Sequence, residues 1–309
     1  LFPGSFNHLT PQMLPLAVQA AMAAIEKICP EARNLLLVPD NATDDPFYMT
    51  SVQRLVQVFT QAGLNVRLGS ADPAVTGPRT LALPDGSELV VEPLLRTRGR
   101  LGLKDFDPCT ILLNNDLAQG IPRELHNLHE QYLLPPLHAG WTVRRKSRHF
   151  QSYEEVAKKF AKLLGMDPWL INPLFAQCGE VDFESPQGLD CVKAGVDAAL
   201  AKVRRKYKEY GINEKPFVVV KADHGNLGNG VVTVRDAKDL DDPTLLRQRM
   251  GLAKDGLAIS EVIIQEGVPS YERMHSAVAE PVVVMIDRYV VGGFYRVHAG
   301  RGTDENLGG

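Results

Sequence analysis

The sequence is poor in the features that mark a secreted, metal-stapled or membrane-borne chain. It has only four cysteines in 309 residues, Cys29, Cys109, Cys178 and Cys191, and none forms a CxxC pair. That spacing leaves no signature of a structural zinc or a redox dithiol. All four read as reduced thiols of a cytoplasmic protein. No apolar run approaches the ~20 residues that cross a bilayer, and the longest, around residues 281–286, has the length of a strand. The opening LFPGSFNHLTPQ lacks a basic stretch followed by an apolar one, so it does not read as a secretory signal. There is no internal repeat and no low-complexity tract. Neither sign of charge is in excess, the formal net charge being −3. Broad nucleic-acid binding, which neutralises many phosphates at once, is thereby disfavoured.

Apolar residues are abundant, at 44%, against 23% charged, enough for a sizeable core, and the length favours two domains. Two basic clusters stand out. Lys202, Arg204, Arg205, Lys206 and Lys208 alternate with apolar residues at helical spacing and read as a solvated helix face. Arg144, Arg145, Lys146 and Arg148 are crowded into one short stretch and need another account.

Residues 1–136 alternate helical and strand-like patterns. Residues 16–28 have helical apolar spacing, NLLLVPDN is a continuous apolar run suited to a strand buried on both faces, and residues 47–62 are helical again with Gly63 as the stop. A hairpin with Asp85 and Gly86 at its turn precedes another buried strand in CTILLNNDL. This is an α/β domain, and ligands of open α/β sheets sit at strand ends. Asn114, Asn115 and Asp116 there, and Asp40 with Asn41, are candidates to hold a small polar substrate. Ordinary turn chemistry explains the same residues without a ligand.

Residues 137–309 mix helices with hairpins. SYEEVAKKFAKLLG offers a capping box, Ser152 with Glu155, as a helix start, and a long helix covers residues 189–210. A further helix is expected through LLRQRMGLAKDG, then strands in ISEVIIQEG, EPVVVMID and RYVVGGFYRVH.

Between two valine-rich strands lies VVVKADHGNLGNGVVTV, with Gly225, Gly228 and Gly230 in a GxxGxG pattern. The GxxxxGK[ST] phosphate loop is excluded because valines follow the last glycine, and GxGxxG fails both on spacing and on the absence of a following helix. What remains is a hairpin with a glycine tip. It is either an ordinary turn or a flap whose backbone amides lie over phosphates. Lys221 stands in the preceding apolar strand, where an unpaired cation is costly to bury. It is accounted for either by an exposed edge or by phosphate oxygens beneath the flap. Downstream, IIQEGV ends a strand with Gln265 and Glu266, a strand end that can present backbone groups and an acid to a base or ribose.

In this order the parts resemble an ATP-grasp fold. More narrowly, FVVVKADHGNLGNGVVTVRDAKDL, SEVIIQEGVPSYERMHSAVAEPVVVMIDRYVVGGFYRVHAGRGTDENL, ILLNNDL and GWTVRRKSRHF resemble the glutamate–cysteine ligases of the proteobacterial type. The resemblance implies an α/β, pre-ATP-grasp-like first domain followed by an ATP-grasp-like α+β region. It implies ATP-dependent joining of glutamate, through its γ-carboxylate, to cysteine by way of an acyl-phosphate. Another carboxylate–amine ligase of the same fold and a non-catalytic ATP-binding regulator are the alternatives. By position, Lys146, with Arg144, Arg145 and Arg148 as close rivals, and Lys221 match the two ATP-binding lysines, and Gly225, Gly228 and Gly230 match the lid. Gln265, Glu266 and Val268 match the adenine hinge, and Arg296 matches the arginine facing the transferred phosphate. Asn306 matches an asparagine near Mg2+. The acidic metal ligands of the family pattern do not occur before Gly309. With the initial Leu and the abrupt ENLGG, this leads to the expectation of a C-terminally truncated piece with little turnover of its own.

Overall fold

The computed structural model describes residues 5–41, 45–117, 120–183, 185, 187–224, 230–242, 246, 249–250 and 258–303. The chain forms two compact units, one made of Leu1–Gly140 with Pro281–Arg296 and the other of Trp141–Glu280 with Val297–Gly309. The first change of unit thus falls at residue 140, where the sequence placed a boundary at 136. Residues 281–296 count with the first unit, where Val284 and Val291 join its core.

The first unit contains α1 (Leu14–Ile28), β1 (Asn34–Pro39), α2 (Pro46–Gln61), β2 (Asn65–Ser70), β3 (Arg79–Ala82) and β4 (Glu88–Pro93). A small hairpin follows, β5 (Leu95–Thr97) with β6 (Arg100–Gly102), and then β7 (Thr110–Asn114) and β8 (Tyr132–Leu134). The main sheet has the order β3-β4-β2-β1-β7-β8 and is parallel apart from β3. The run Leu35–Val38 explains why β1 is central, since all four residues are at most 1% exposed. Leu35 and Leu37 face the core built with α1 and α2, whereas Leu36 and Val38 face a second core with Leu101, Ile111 and Leu113. An apolar residue at every position is what a strand covered on both faces requires. Asp45 caps α2 by accepting from Phe47 N at 2.9 Å, and Gly63, at φ +94°, takes the left-handed turn after its end.

The second unit contains α3 (Lys146–Leu164), β9 (Phe175–Cys178), α4 (Asp190–Tyr210), β10 (Val218–Ala222), β11 (Val231–Val234), β12 (Val262–Glu266) and β13 (Arg273–Met274). The long strands β14 (Ala277–Ile286) and β15 (Tyr289–His298) join β13 in a three-stranded sheet. The order β11-β10-β12-β9 is antiparallel throughout. Val192, Val196 and Leu200 of α4 pack on Val218, Val220, Val262 and Ile264. Gly195 permits this approach, because a Cβ there would lie 2.4 Å from Ile264 Cδ1.

Three expectations need correction or restriction. Cys178 and Cys191 are disulfide-bonded, not free thiols, because the end of β9 meets the first turn of α4 with Cα atoms 6.2 Å apart. No CxxC spacing is needed when two packed elements supply the geometry. Cys29 and Cys109 are free, with sulfurs 2.6 Å apart. Helix α3 starts at Lys146 rather than at Ser152, which sits inside the helix. A carboxylate distant in sequence caps the earlier start, as described below. The helix expected through LLRQRMGLAKDG falls mostly outside the described residues; of those that are described, Leu246 and Met250 are buried. No helix among the described residues is long and apolar enough to cross a membrane.

Candidate functional site

Helix α4 covers one face of the β11-β10-β12-β9 sheet, and alternation along the strands decides what reaches the other. Val218, Val220 and Ala222 point to α4, so Lys221 points away from it. The register places Lys221 opposite Ile263 and Val219 opposite Gln265, so Gln265 shares the face of Lys221. Lys221 Nζ donates to Gln265 Oε1 at 3.0 Å. Burial alone pushes the ammonium of Lys221 below its ordinary pKa.

Lys146 reaches the same place from the first residue of α3. Its Nζ donates to the carbonyl oxygens of Ala222 at 2.6 Å and His224 at 3.2 Å, and its N–H to Asp223 O at 2.9 Å. Burial lowers the Lys146 pKa from 10.5 to about 8; the Asp223 carboxylate opposes this shift, while Lys221, Arg144 and Arg145 add to it. Lys146, Lys221, Arg144 and Arg145 outnumber the two carboxylates there, Asp223 and Glu261, the latter 3.6 Å from Arg145 Nε, and an anionic ligand would offset the remaining positive charge.

Asp223, 1% exposed, holds the arrangement together. Its Oδ1 accepts from Ser147 N and its Oδ2 from Ser147 Oγ, both at 2.7 Å. A carboxylate at the N-terminus of α3 satisfies free N–H groups and matches the helix dipole. Asp223 was not singled out from sequence. Its signal was an acid beside the strand lysine, with a KS pair far upstream that gave no hint of being adjacent.

Gly230 leads into β11. It has φ +65°, its carbonyl accepts from Ala222 N at 2.7 Å, and a Cβ would lie 2.8 Å from Ala222 Cβ and from Ile259 Cδ1. Gly225, Gly228 and Asn306 lie outside the described residues.

The remaining assigned residues lie elsewhere. Glu266 pairs in register with Val218, so its side chain lies on the α4 face, across the sheet from Lys221. Its carboxylate accepts from Trp169 Nε1 at 2.9 and 3.0 Å and from Leu174 N at 2.9 Å, and burial pushes its pKa up. Val268 is 67% exposed beyond the strand end. Arg296 is exposed on β15 and belongs to the first unit.

In the first unit, β1 is where the sheet order reverses, with β2 on one side and β7 on the other, and open α/β sheets bind ligands at the strand ends of such a point. Asn114 ends β7 at this point but is already engaged, since Tyr48 Oη lies 2.8 Å from both its O and its Oδ1. Tyr48 Oη also accepts from Asp40 N at 2.7 Å. Asn115 Oδ1 accepts from Leu117 N at 2.8 Å, a turn contact, and Asp116 is half-buried. Tyr48, buried between the two strand ends with its pKa raised by desolvation, was not singled out from sequence. Among the described residues no group of three or more His, Cys, Asp or Glu side chains could hold a metal ion.

Comparison with known proteins adds what geometry alone does not carry. A family profile described as glutamate-cysteine ligase matches residues 1–309. A crystal structure from Methylobacillus flagellatus KT, provisionally named gamma-glutamylcysteine synthetase, is 52% identical with a TM-score of 0.89, over 100% of this chain and 73% of that one. D-alanyl-alanine synthetase A from Vibrio cholerae O1 biovar eltor aligns with a TM-score of 0.39 and 11% identity, over 83% of this chain and 69% of that one. No curated protein matches.

Proposed function

The chain belongs to the glutamate-cysteine ligase family, a family of ATP-using ligases that form γ-glutamylcysteine, and from that premise we propose how its own residues serve the reaction. The second unit acts as an ATP-grasp-like nucleotide site on the sheet face away from α4, with the first unit supplying the substrate side. Lys146 and Lys221 bind ATP phosphates, Gly225, Gly228 and Gly230 form the covering flap, and Gln265 with the backbone up to Val268 borders the base. The single observation that carries this reading is the convergence of Lys146 and Lys221 at the end of β10.

A carboxylate oxygen is a poor leaving group, so the γ-carboxylate of glutamate attacks the γ-phosphorus of ATP and ADP departs. The amine of cysteine then attacks the acyl carbon, phosphate leaves, and the amine proton is released. The two ammonium groups stabilise charge on the phosphoryl oxygens, where positioning and electrostatics dominate. Arg296, with a planar fork suited to an oxyanion, takes the transferred phosphoryl group in this account. Asn114, Asn115 and Asp116 border the glutamate side, through the strand ends that Tyr48 ties together. Mg2+ suits such chemistry, yet the described residues offer no ligand set for it, and no step here runs through it. Action in the cytoplasm on free amino acids completes the proposal.

Calorimetric titration of ATP into the protein and its Lys221→Ala variant tests the site. We expect binding weakened by about tenfold or more in the variant, the scale of one charge-assisted hydrogen bond. Equal affinity would make Lys221 a structural residue and remove the proposed phosphate site.

A further inference from the structure

Beyond the end of β12, on the α4 side of the sheet, lies a cavity of about 430 Å³ whose lining includes Trp169, Asn172, Tyr207, Glu266, Val268 and Tyr271. We propose that it is a second ligand site, separate from the lysine face, for a small organic ammonium ion with an apolar body.

The charge balance of the cavity carries this inference. Glu266 is 5% exposed, and among the described residues no cation pairs with it. Its partners are two neutral N–H groups, from Trp169 and Leu174, whereas a carboxylate offers about four acceptor positions. A buried carboxylate is costly unless an opposite charge accompanies it. Asn172, which also lines the cavity, is 7% exposed, and among the described residues its buried Oδ1 has no hydrogen-bond partner. The walls are aromatic, and the faces of Trp and Tyr rings attract cations. A cavity of this size with apolar walls and a few polar groups has the form of a small-molecule site.

The same lining restricts the ligand. Among the described residues no lysine, arginine or histidine borders the cavity, so a carboxylate or phosphate on the ligand would find no cation there. Amino acids and nucleotide phosphates are therefore poor occupants, and an amine without an acidic group is the fitting class. Residues 266–268 also border the base in the proposed ATP site, but the Glu266 side chain lies across the sheet from Lys221, so the ammonium contact is on the face opposite the ATP phosphates.

The protein has two tryptophans, so a Trp141→Phe background leaves Trp169, hydrogen-bonded to Glu266, as sole fluorescent reporter. Benzylamine is titrated beside benzyl alcohol and phenylacetate, which share its body but are neutral and anionic. Benzylamine should change the Trp169 emission saturably with a Kd at least about tenfold below that of the alcohol, as expected for a charge-assisted contact, and phenylacetate should give no change. Glu266→Gln should erase the preference for the amine. Tyr271→Ala, at a residue 65% exposed and therefore safe for folding, should weaken benzylamine several-fold. Saturating ATP should leave the benzylamine Kd unchanged. Equal binding of amine and alcohol, lack of saturation, or a preference that survives Glu266→Gln would overturn the proposal. Competition by ATP would also overturn it, by making the cavity part of the nucleotide site. Should Glu266→Gln fail to fold, the ligand series and Tyr271→Ala decide alone.

Discussion

Lys146 gives the ATP site a pH dependence that can be worked out in advance. Its pKa, lowered to about 8 chiefly by burial, leaves it mostly charged at neutral pH and mostly neutral two units higher. Bound phosphate would favour the charged form and raise that pKa again. If the bound-state value returns toward the ordinary 10.5, linkage predicts that the Kd for ATP rises by about tenfold between pH 7 and pH 9. Stability moves oppositely to affinity. Between about 8 and 10.5 the unfolded chain binds more protons at this position than the folded one, so the Lys146 contribution to stability increases with pH across that window. The assay is calorimetry with a non-hydrolysable ATP analogue at both pH values, on the protein and on Lys146→Gln. A flat Kd in the parent, or a slope equally steep in Lys146→Gln, would refute the assignment of Lys146 to the phosphates.

Asp223→Ala removes the carboxylate held by Ser147 N and Oγ and should destabilise the protein by roughly 2–3 kcal/mol in urea unfolding, as a lost cap plus unsatisfied donors. A loss under about 0.5 kcal/mol, the scale of an ordinary surface substitution, would mean that water replaces the clamp. Gly267→Ala would put a Cβ 2.1–2.6 Å from the Phe217 ring and should cost about 1–3 kcal/mol as overpacking, read from the urea midpoint. Gly230→Val combines positive φ with collision against Ala222 and Ile259, so both urea stability and ATP affinity should fall, stability by about 1–3 kcal/mol. Unchanged ATP affinity in that variant would detach the flap from the nucleotide.

Much of this was legible in the sequence because it is local. The buried strand β1 announces itself in NLLLVP, α2 in its periodicity and its Gly63 stop, and the antiparallel pair β10–β11 in the valines that flank the glycines. The parts that were not legible depend on residues far apart in the chain. The start of α3 is set by Asp223, 76 positions from Ser147, so the nearer Ser152 and Glu155 looked like the better start. The Cys178–Cys191 bond follows from packing of β9 on α4 rather than from any short motif. Gln265 and Glu266 are adjacent in sequence, but alternation along a strand sends them to opposite faces once the register is known. The role of Tyr48 in joining two strand ends is likewise visible only after β1 and β7 are paired.

The central claim, that the glutamate γ-carboxylate is activated by ATP before cysteine is joined, is tested most directly by following oxygen. Glutamate labelled with 18O in its γ-carboxylate is incubated with the enzyme, ATP and cysteine, and the released phosphate and the dipeptide are analysed by mass spectrometry. The account predicts one labelled oxygen in each phosphate released, matched one for one by γ-glutamylcysteine. Unlabelled phosphate accompanying dipeptide formation would contradict it.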